Sequence, residues 1–150
     1  NGETIPVLNN IHFVLTRNTS GHGDITGRHT AANVSDSAFT SRVSCTFNVT
    51  YMDQHDETAL LITHGLGSEE AGQIVAFANA SRQSVSETDS GSSFDGMTEP
   101  VCLRHLLSYT GARMRGMERA KALAACIIGS LPGRDQPVAN ELAITHVGSE

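Results

Sequence analysis

Residues 41–51, SRVSCTFNVTY, alternate strictly between apolar and polar side chains. Successive side chains of a β-strand point to opposite faces of a sheet, so this alternation predicts a strand with one buried and one solvated face. The predicted buried face consists of Val43, Cys45, Phe47, Val49 and Tyr51. The predicted solvated face consists of Arg42, Ser44, Thr46, Asn48 and Thr50. A polar face of this kind is either left to water or used to bind a polar ligand.

Further runs predict the rest of an antiparallel sheet. IHFVLT (11–16) is a first strand, and a weaker extended segment near 25–30 completes an N-terminal hairpin. ETALLITH (57–64) predicts a second strong strand, which pairs with 41–51 through the short polar turn between them. QIVAFANA (73–80) is short and apolar and is predicted to be extended.

The C-terminal part of the chain has a helical pattern. Apolar residues at spacings of three and four predict an amphipathic helix over 117–131, ended by Pro132-Gly133. Asp135 with Pro137 predicts the start of another short helix, which runs through about Ile144. The apolar stripe of the first helix consists of Met117, Ala120, Leu123, Ala124, Ile127 and Leu131.

The order of these elements predicts the fold class. Residues 81–96 are polar and predict a long loop, while residues 100–109 suit either a strand or a helix. Strands first and helices last indicate an α+β fold with an antiparallel sheet. We therefore expect one domain over 1–150, with the hairpin and sheet at about 8–110 and the helices at about 114–146.

Composition limits the function classes. The chain has 150 residues, 39% of them hydrophobic, and a net charge of −6, which is the wrong sign for coating nucleic acid through bulk charge. We expect no signal peptide and no membrane-spanning segment. Three cysteines, Cys45, Cys102 and Cys126, are too few for a disulfide scaffold. They are expected to be buried free thiols, with an inter-subunit disulfide as the alternative.

Catalytic and ligand-binding alternatives rest on two features. GHGDITGRH (21–29) contains His22, Asp24 and His29, which could bind a metal ion or act as acids and bases in a small α+β enzyme. Their spacing matches no recognised zinc pattern, and the chain contains no nucleophile elbow or phosphate loop. Four Asn-x-Ser/Thr sequons offer weak support for a secreted ligand-binding domain. They begin at Asn18, Asn33, Asn48 and Asn79.

Half of the basic charge lies within eighteen residues near the predicted helices. These residues are Arg104, Arg113, Arg115, Arg119 and Lys121. They form either a solvated helix face or a patch that contacts a second subunit or phosphate groups.

The order of elements resembles the coat proteins of single-stranded RNA bacteriophages of the levivirus type. Those proteins have an N-terminal hairpin, an antiparallel sheet and two C-terminal helices. The likeness is carried by the start at 11–30, by the strand pair 41–51 and 57–64, and by MERAKALAACIIGSL followed by VANELAITHVGSE.

The resemblance implies a structural protein rather than an enzyme. It implies an interlocked homodimer that assembles into an icosahedral shell, located in the virion and assembled in the bacterial host cytoplasm. It also implies that the inner sheet face binds a single-stranded RNA hairpin or genome, without catalytic residues, metal, cofactor or membrane. The RNA-binding candidates are Arg42, Ser44, Thr46, Asn48 and Thr63.

Overall fold

The computed structural model describes residues 14, 16, 44–89 and 96–148. The chain divides into two units, Asn1–Asn48 and Val49–Glu150. In the first unit, residues 44–48 are exposed and lie outside helices and strands. All regular secondary structure in the described part of the chain belongs to the second unit, and all of it is helical.

The second unit contains five described α-helices and one 3₁₀ turn. The helices are α1 (Gln54–Thr63), α2 (Ser68–Asp89), α3 (Leu103–Met114), α4 (Arg119–Cys126) and α5 (Gln136–Val147). The 3₁₀ turn, Ile128–Ser130, follows α4. The long α2 is the centre of the unit, because α1 and α5 both pack against it, while α4 packs against α3.

Capping residues define α1. The Asp53 carboxylate accepts a hydrogen bond from the His55 backbone N–H at 2.8 Å, and two acidic residues follow in the first turn, where they complement the helix dipole. The helix buries Glu57 and Leu61, which are one turn apart. Gly65 then reverses the chain with a φ of 98°, a left-handed conformation that favours glycine.

Helix α2 buries one apolar face along most of its length. The face has the spacing of three and four residues that a helix of 3.6 residues per turn requires. It consists of Ala71, Ile74, Val75, Ala78 and Val85, together with Phe77 beside them. These residues join the core with Leu61, Leu106 and Ala139, so α2 supplies the surface on which the other helices assemble.

A buried ion pair fixes α1 against α2. Arg82 donates from both terminal nitrogens to the Glu57 carboxylate, at 2.8 and 2.9 Å, and from Nε to the Val101 carbonyl at 3.0 Å. The same guanidinium reaches Asn79 and lies 4.2 Å from the centre of the Tyr51 ring. One side chain therefore connects four parts of the unit.

The segment before α3 is held by polar side chains rather than by a strand ladder. The Ser81 hydroxyl accepts from the Val101 backbone N–H, and the Ser84 hydroxyl accepts from the Met97 backbone N–H. The buried Asp135 carboxylate accepts from the Thr98 N–H and hydroxyl and from the Glu99 N–H. Met97 and Val101 are fully buried as a result.

The predicted antiparallel sheet is wrong for the described residues. The predicted strand 57–64 lies in α1, because the Asp53 cap and the acidic first turn favour a helix and the buried positions are four apart. The predicted extended segment 73–80 lies in α2, and so do residues 81–89 of the predicted loop. The predicted hairpin near 11–30 lies outside the described residues, apart from residues 14 and 16.

The strand prediction for 41–51 is also wrong over residues 44–51, which have neither strand nor helix conformation. Two residues of the predicted buried face are strongly exposed: Phe47 at 81% and Val49 at 95%. Alternation alone does not supply the neighbouring strands that a sheet needs. Residues 41–43 lie outside the described part of the chain.

The C-terminal helices are confirmed, with one change. The helix predicted over 117–131 is observed as α4 followed by the 3₁₀ turn, with Ile127 between them. The helix predicted from Asp135 is α5, with proline at its start. Residues 100–109, which suited either structure, enter α3 at Leu103.

We expect Glu57→Gln to destabilise the unit strongly. The variant leaves the Arg82 charge buried without its counter-charge, which costs about 3–5 kcal/mol in other proteins. Urea unfolding followed by far-UV circular dichroism measures the loss. Glu118→Gln is the control, because the Glu118–Lys121 pair is exposed and should contribute less than about 0.5 kcal/mol. Equal effects of the two variants would contradict the central role of the pair.

Candidate functional site

An open apolar groove lies between α4 and α5. Helix α4 packs mainly on α3 and the 3₁₀ turn, whereas α5 packs mainly on α2 and the same turn. The space between the two helices has a volume of about 180 Å³. Its lining residues are Arg119, Ala120, Leu123, Ala124, Ile128, Asn140, Ala143, Ile144, Val147 and Gly148.

The groove has a buried floor and an exposed rim. Ile128, Ala143 and Val147 are almost fully buried and form part of the floor. Ile144 stands on the rim with 59% of its surface exposed. It lies only one position from Ala143, so the 100° turn per residue carries it from the buried face of α5 to the exposed one.

Part of the apolar stripe predicted over 117–131 is exposed. The structure buries Ile127 and Leu131 of the predicted stripe and half-buries Leu123. Ala120 and Ala124, on the same stripe, are exposed along the groove. The apolar pattern of this helix is therefore only partly satisfied inside the described unit.

Arg119 forms the polar end of the groove. Its Nη2 donates to the Gln73 side-chain oxygen at 2.5 Å, which ties the first residue of α4 to α2. Its Nε is buried and has no hydrogen-bond partner. Arg119 also borders a second, shallower opening of about 380 Å³ at the start of α2, lined by Gly67, Ser68, Glu69, Glu70 and Gln73.

The Glu70 cluster, formed by Glu70, Tyr109 and Arg113, connects the helices that lead to this end of the groove. Glu70 accepts a short hydrogen bond from the Tyr109 hydroxyl and two from Arg113, at 2.6 Å from Nε and 3.2 Å from Nη2. Arg113 also donates to the Met117 carbonyl at 2.6 Å. The cluster joins α2, α3 and the residues that lead into α4, and so it positions Arg119.

The pKa values of the cluster follow from these contacts. Burial acts to raise the pKa of Glu70, but the hydrogen bonds from Arg113 and Tyr109 and the charges of Arg113 and Arg119 outweigh it, and the pKa lies below its usual value. Burial, followed by the hydrogen bond to Glu70 and its charge, raises the pKa of Tyr109. Tyr109 therefore remains a hydrogen-bond donor at neutral pH, and the cluster holds α2 and α3 together.

None of the four predicted RNA-binding residues that the structure describes lies in a β-strand. Ser44, Thr46 and Asn48 are exposed in the irregular segment of the first unit. Thr63 is the last residue of α1 in the second unit, where its hydroxyl donates to the Ala59 carbonyl at 2.9 Å. Arg42 lies outside the described residues, as do His22, Asp24 and His29 of the catalytic alternative.

The clustered basic residues mostly have acidic or polar partners within the chain. Arg113 binds Glu70, Arg119 binds Gln73, and Lys121 lies 3.6 Å from Glu118. These contacts favour neither the phosphate patch nor a purely solvated helix face. Arg119 alone reaches the groove.

The three cysteines form no disulfide within the chain, and the inter-subunit disulfide stays a prediction. The expectation of burial is wrong for Cys45, which is exposed, and incomplete for the other two, which are half-buried. Cys102 precedes α3 and forms the reciprocal contacts of a capping box with His105. The His105 Nδ1 accepts from the Cys102 backbone N–H at 3.2 Å. Burial, together with the charge of Arg104, lowers the pKa of His105 against the opposite effect of Glu99.

Within residues 44–89 and 96–148, no cluster of three or more His, Cys, Asp or Glu side chains is arranged to hold a metal ion. Among the helices that the structure describes, none is both long and apolar enough to cross a membrane. Comparisons with protein-family models, with curated proteins and with solved structures find no match to this chain.

Sequence reasoning missed the α5 side of the groove. Ala139, Ala143 and Val147 form a stripe with a spacing of four residues, and Ile144 lies just outside it. In the sequence, the signal for the exposed rim is a large aliphatic residue, Ile144, that lies outside the four-residue spacing of the apolar stripe of α5. The Glu70 cluster has no such signal in the sequence, because Tyr109 and Arg113 follow Glu70 by 39 and 43 residues.

Glu70 should contribute stability that disappears in acid. Its folded-state pKa lies below the usual value of 4.5, so the folded state binds the proton more weakly than the unfolded chain. The stabilisation is therefore complete above about pH 5.5 and decreases as pH falls through the folded-state pKa. Urea unfolding of the wild type and Glu70→Gln should show a stability difference that shrinks steadily below about pH 5.

Glu69→Gln is the matched control, because Glu69 is the exposed neighbour in the same helical turn. It should leave the pH dependence of stability almost unchanged. A wild-type–Glu70→Gln difference that is constant from about pH 7 to pH 3 would contradict the assignment of the charged form to Glu70.

Proposed function

We propose that the helical unit Val49–Glu150 is a non-catalytic docking module that binds the apolar face of a protein partner in the α4–α5 groove. The observation that carries the proposal is the apolar surface that two adjacent helices expose in the described part of the chain, formed by Ala120, Ala124 and Ile144 around a floor of buried residues. Ala120 and Ala124 are exposed members of the apolar stripe over 117–131, whereas Ile127 and Leu131 of the same stripe are buried.

The energetics favour a protein partner. Full burial of an isoleucine side chain contributes about 1.5–3 kcal/mol. Ile144 is 59% exposed, so covering it recovers part of that free energy. The alanines allow a partner backbone or side chain to approach α4 closely. The Arg119 guanidinium at one end supplies a charged boundary that orients whatever binds.

The earlier alternatives have a weaker basis in the described residues. The coat-protein prediction depended on a sheet, and residues 44–89 and 96–148 contain none. The catalytic prediction depends on His22, Asp24 and His29, which lie outside the described part. Both functions stay predictions, whereas the groove is a surface with defined geometry.

Binding of 1-anilinonaphthalene-8-sulfonate tests the groove. This probe carries an apolar ring system that suits the floor and a sulfonate that suits Arg119. We expect the folded protein to bind about one equivalent with enhanced fluorescence. Ile144→Asp should weaken this binding about tenfold or more, because it replaces the apolar rim with a charge that repels the sulfonate.

Ile62→Asp is the matched control, because Ile62 is an exposed isoleucine on α1, outside the groove. It should leave probe binding unchanged. Circular dichroism should show the same helical content for both variants, since each changes an exposed side chain. Absence of probe binding to the wild type, or equal weakening by both substitutions, would refute the proposed docking function.

A further inference from the structure

We infer that Asn48 is an acceptor site for an N-linked glycan in a chain that enters a glycosylating compartment, and that Asn79 is not. Two of the four Asn-x-Ser/Thr sequons, those that begin at Asn48 and Asn79, lie in the described part of the chain. The sequons that begin at Asn18 and Asn33 lie outside it. Asn48 does not line the α4–α5 groove, so the inference does not depend on the proposed docking function.

The sequon at Asn48 is accessible along its whole length. Asn48, Val49 and Thr50 are all exposed and lie outside helices and strands. No backbone–backbone hydrogen bond joins these three residues to the rest of the described chain. A transferase can therefore bind this segment without unwinding any described helix, and a bulky, hydrophilic glycan can extend from it into solvent.

The backbone conformation of this segment also suits an acceptor site. Side chains two positions apart point to the same side of an extended backbone, whereas in an α-helix they are about 200° apart around the axis. Residues 48–50 are not helical, so the Asn48 amide and the Thr50 hydroxyl can face the same side of the chain. A transferase can then contact both groups of the sequon at once.

The sequon at Asn79 is held inside the helical unit. Asn79 lies in α2, and its Oδ1 accepts a hydrogen bond from Arg82 Nη1 at 3.0 Å. Ser81, the third residue of this sequon, is fully buried. Its hydroxyl donates to the Ala78 carbonyl at 2.7 Å and accepts from the Val101 backbone N–H at 2.9 Å. A glycan on Asn79 would stand beside the buried Arg82 guanidinium, so chains modified there should not reach the folded state.

The modification is a group transfer from a lipid-linked oligosaccharide. The Asn48 side-chain nitrogen forms a bond to the anomeric carbon of the first sugar, and the bond between that carbon and a pyrophosphate oxygen breaks. The lipid pyrophosphate leaves with the bonding electrons, and the amide nitrogen gives up one proton to a base of the transferase. Nothing is oxidised or reduced, and the modified amide stays neutral.

Translation of the full chain behind a cleavable secretion signal, in the presence of endoplasmic-reticulum microsomes, tests the inference. Soluble chains that have lost the signal are treated with peptide N-glycosidase, which converts each glycosylated asparagine to aspartate. A protease specific for glutamate then cuts after Glu57 and separates the two sequons for mass spectrometry. Most chains should show the conversion at Asn48, and none should show it at Asn79.

Matched substitutions at Thr50 separate recognition of the sequon from simple exposure. Thr50→Ala removes the hydroxyl and should abolish the conversion at Asn48. Thr50→Ser keeps a hydroxyl and should retain about half of the wild-type occupancy or more. Both variants change an exposed side chain outside the helices, so circular dichroism should show the same helical content. Asn79→Gln should leave the modification of Asn48 unchanged.

An unmodified Asn48 in chains that have lost the signal would overturn the inference, and so would a conversion that Thr50→Ala does not abolish. Conversion of Asn79 in soluble, helical chains would overturn the distinction between the two sequons. None of these outcomes affects binding of the naphthalene sulfonate probe in the α4–α5 groove, so the glycan site and the docking function can fail separately.

Discussion

The arrangement of the helical unit depends on the ion pair between Glu57 and Arg82. A charge pair with so little solvent contact is expensive to desolvate, and the cost is recovered only when nearly every polar atom has a well-placed partner. Arg82 meets this condition with the Glu57 carboxylate, the Val101 carbonyl and Asn79, and with the face of the Tyr51 ring. Few alternative packings of α1 on α2 can satisfy all these contacts together.

The groove is a consequence of this arrangement. Arg82 and Ser81 fix Val101, and Asp135 fixes Thr98, so the segment before α3 is tied both to α2 and to the start of α5. Helix α4 then follows α3, while α5 returns to α2. Each of the last two helices has its own support, and nothing in the core requires them to cover one another. An open apolar surface between them is the result.

The C-terminal part of the fold could be predicted from sequence, and the central part could not. The stripe that ends at Pro132-Gly133 and the Asp135–Pro137 start are local signals, and they identified α4 and α5. Residues 57–64 and 73–80 contain short apolar runs that periodicity alone cannot assign to strand or helix. Polar residues decide in favour of helix in both segments. Asp53 caps α1, and Ser81 and Arg82, which are buried and half-buried, continue α2 beyond the apolar run.

The difference between apolar pattern and polar contact also bears on the specificity of the candidate site. Ala120, Ala124 and Ile144 provide apolar surface, which attracts many partners and fixes the orientation of none. Orientation requires a polar group held in one place, and Arg119 is held by Gln73 on α2 while the Glu70 cluster fixes the chain leading into α4. The charged boundary of the groove is thus set by contacts between residues more than forty positions apart. Sequence shows the apolar half of such a surface as a stripe, but only the folded chain assembles the polar half that restricts what can bind.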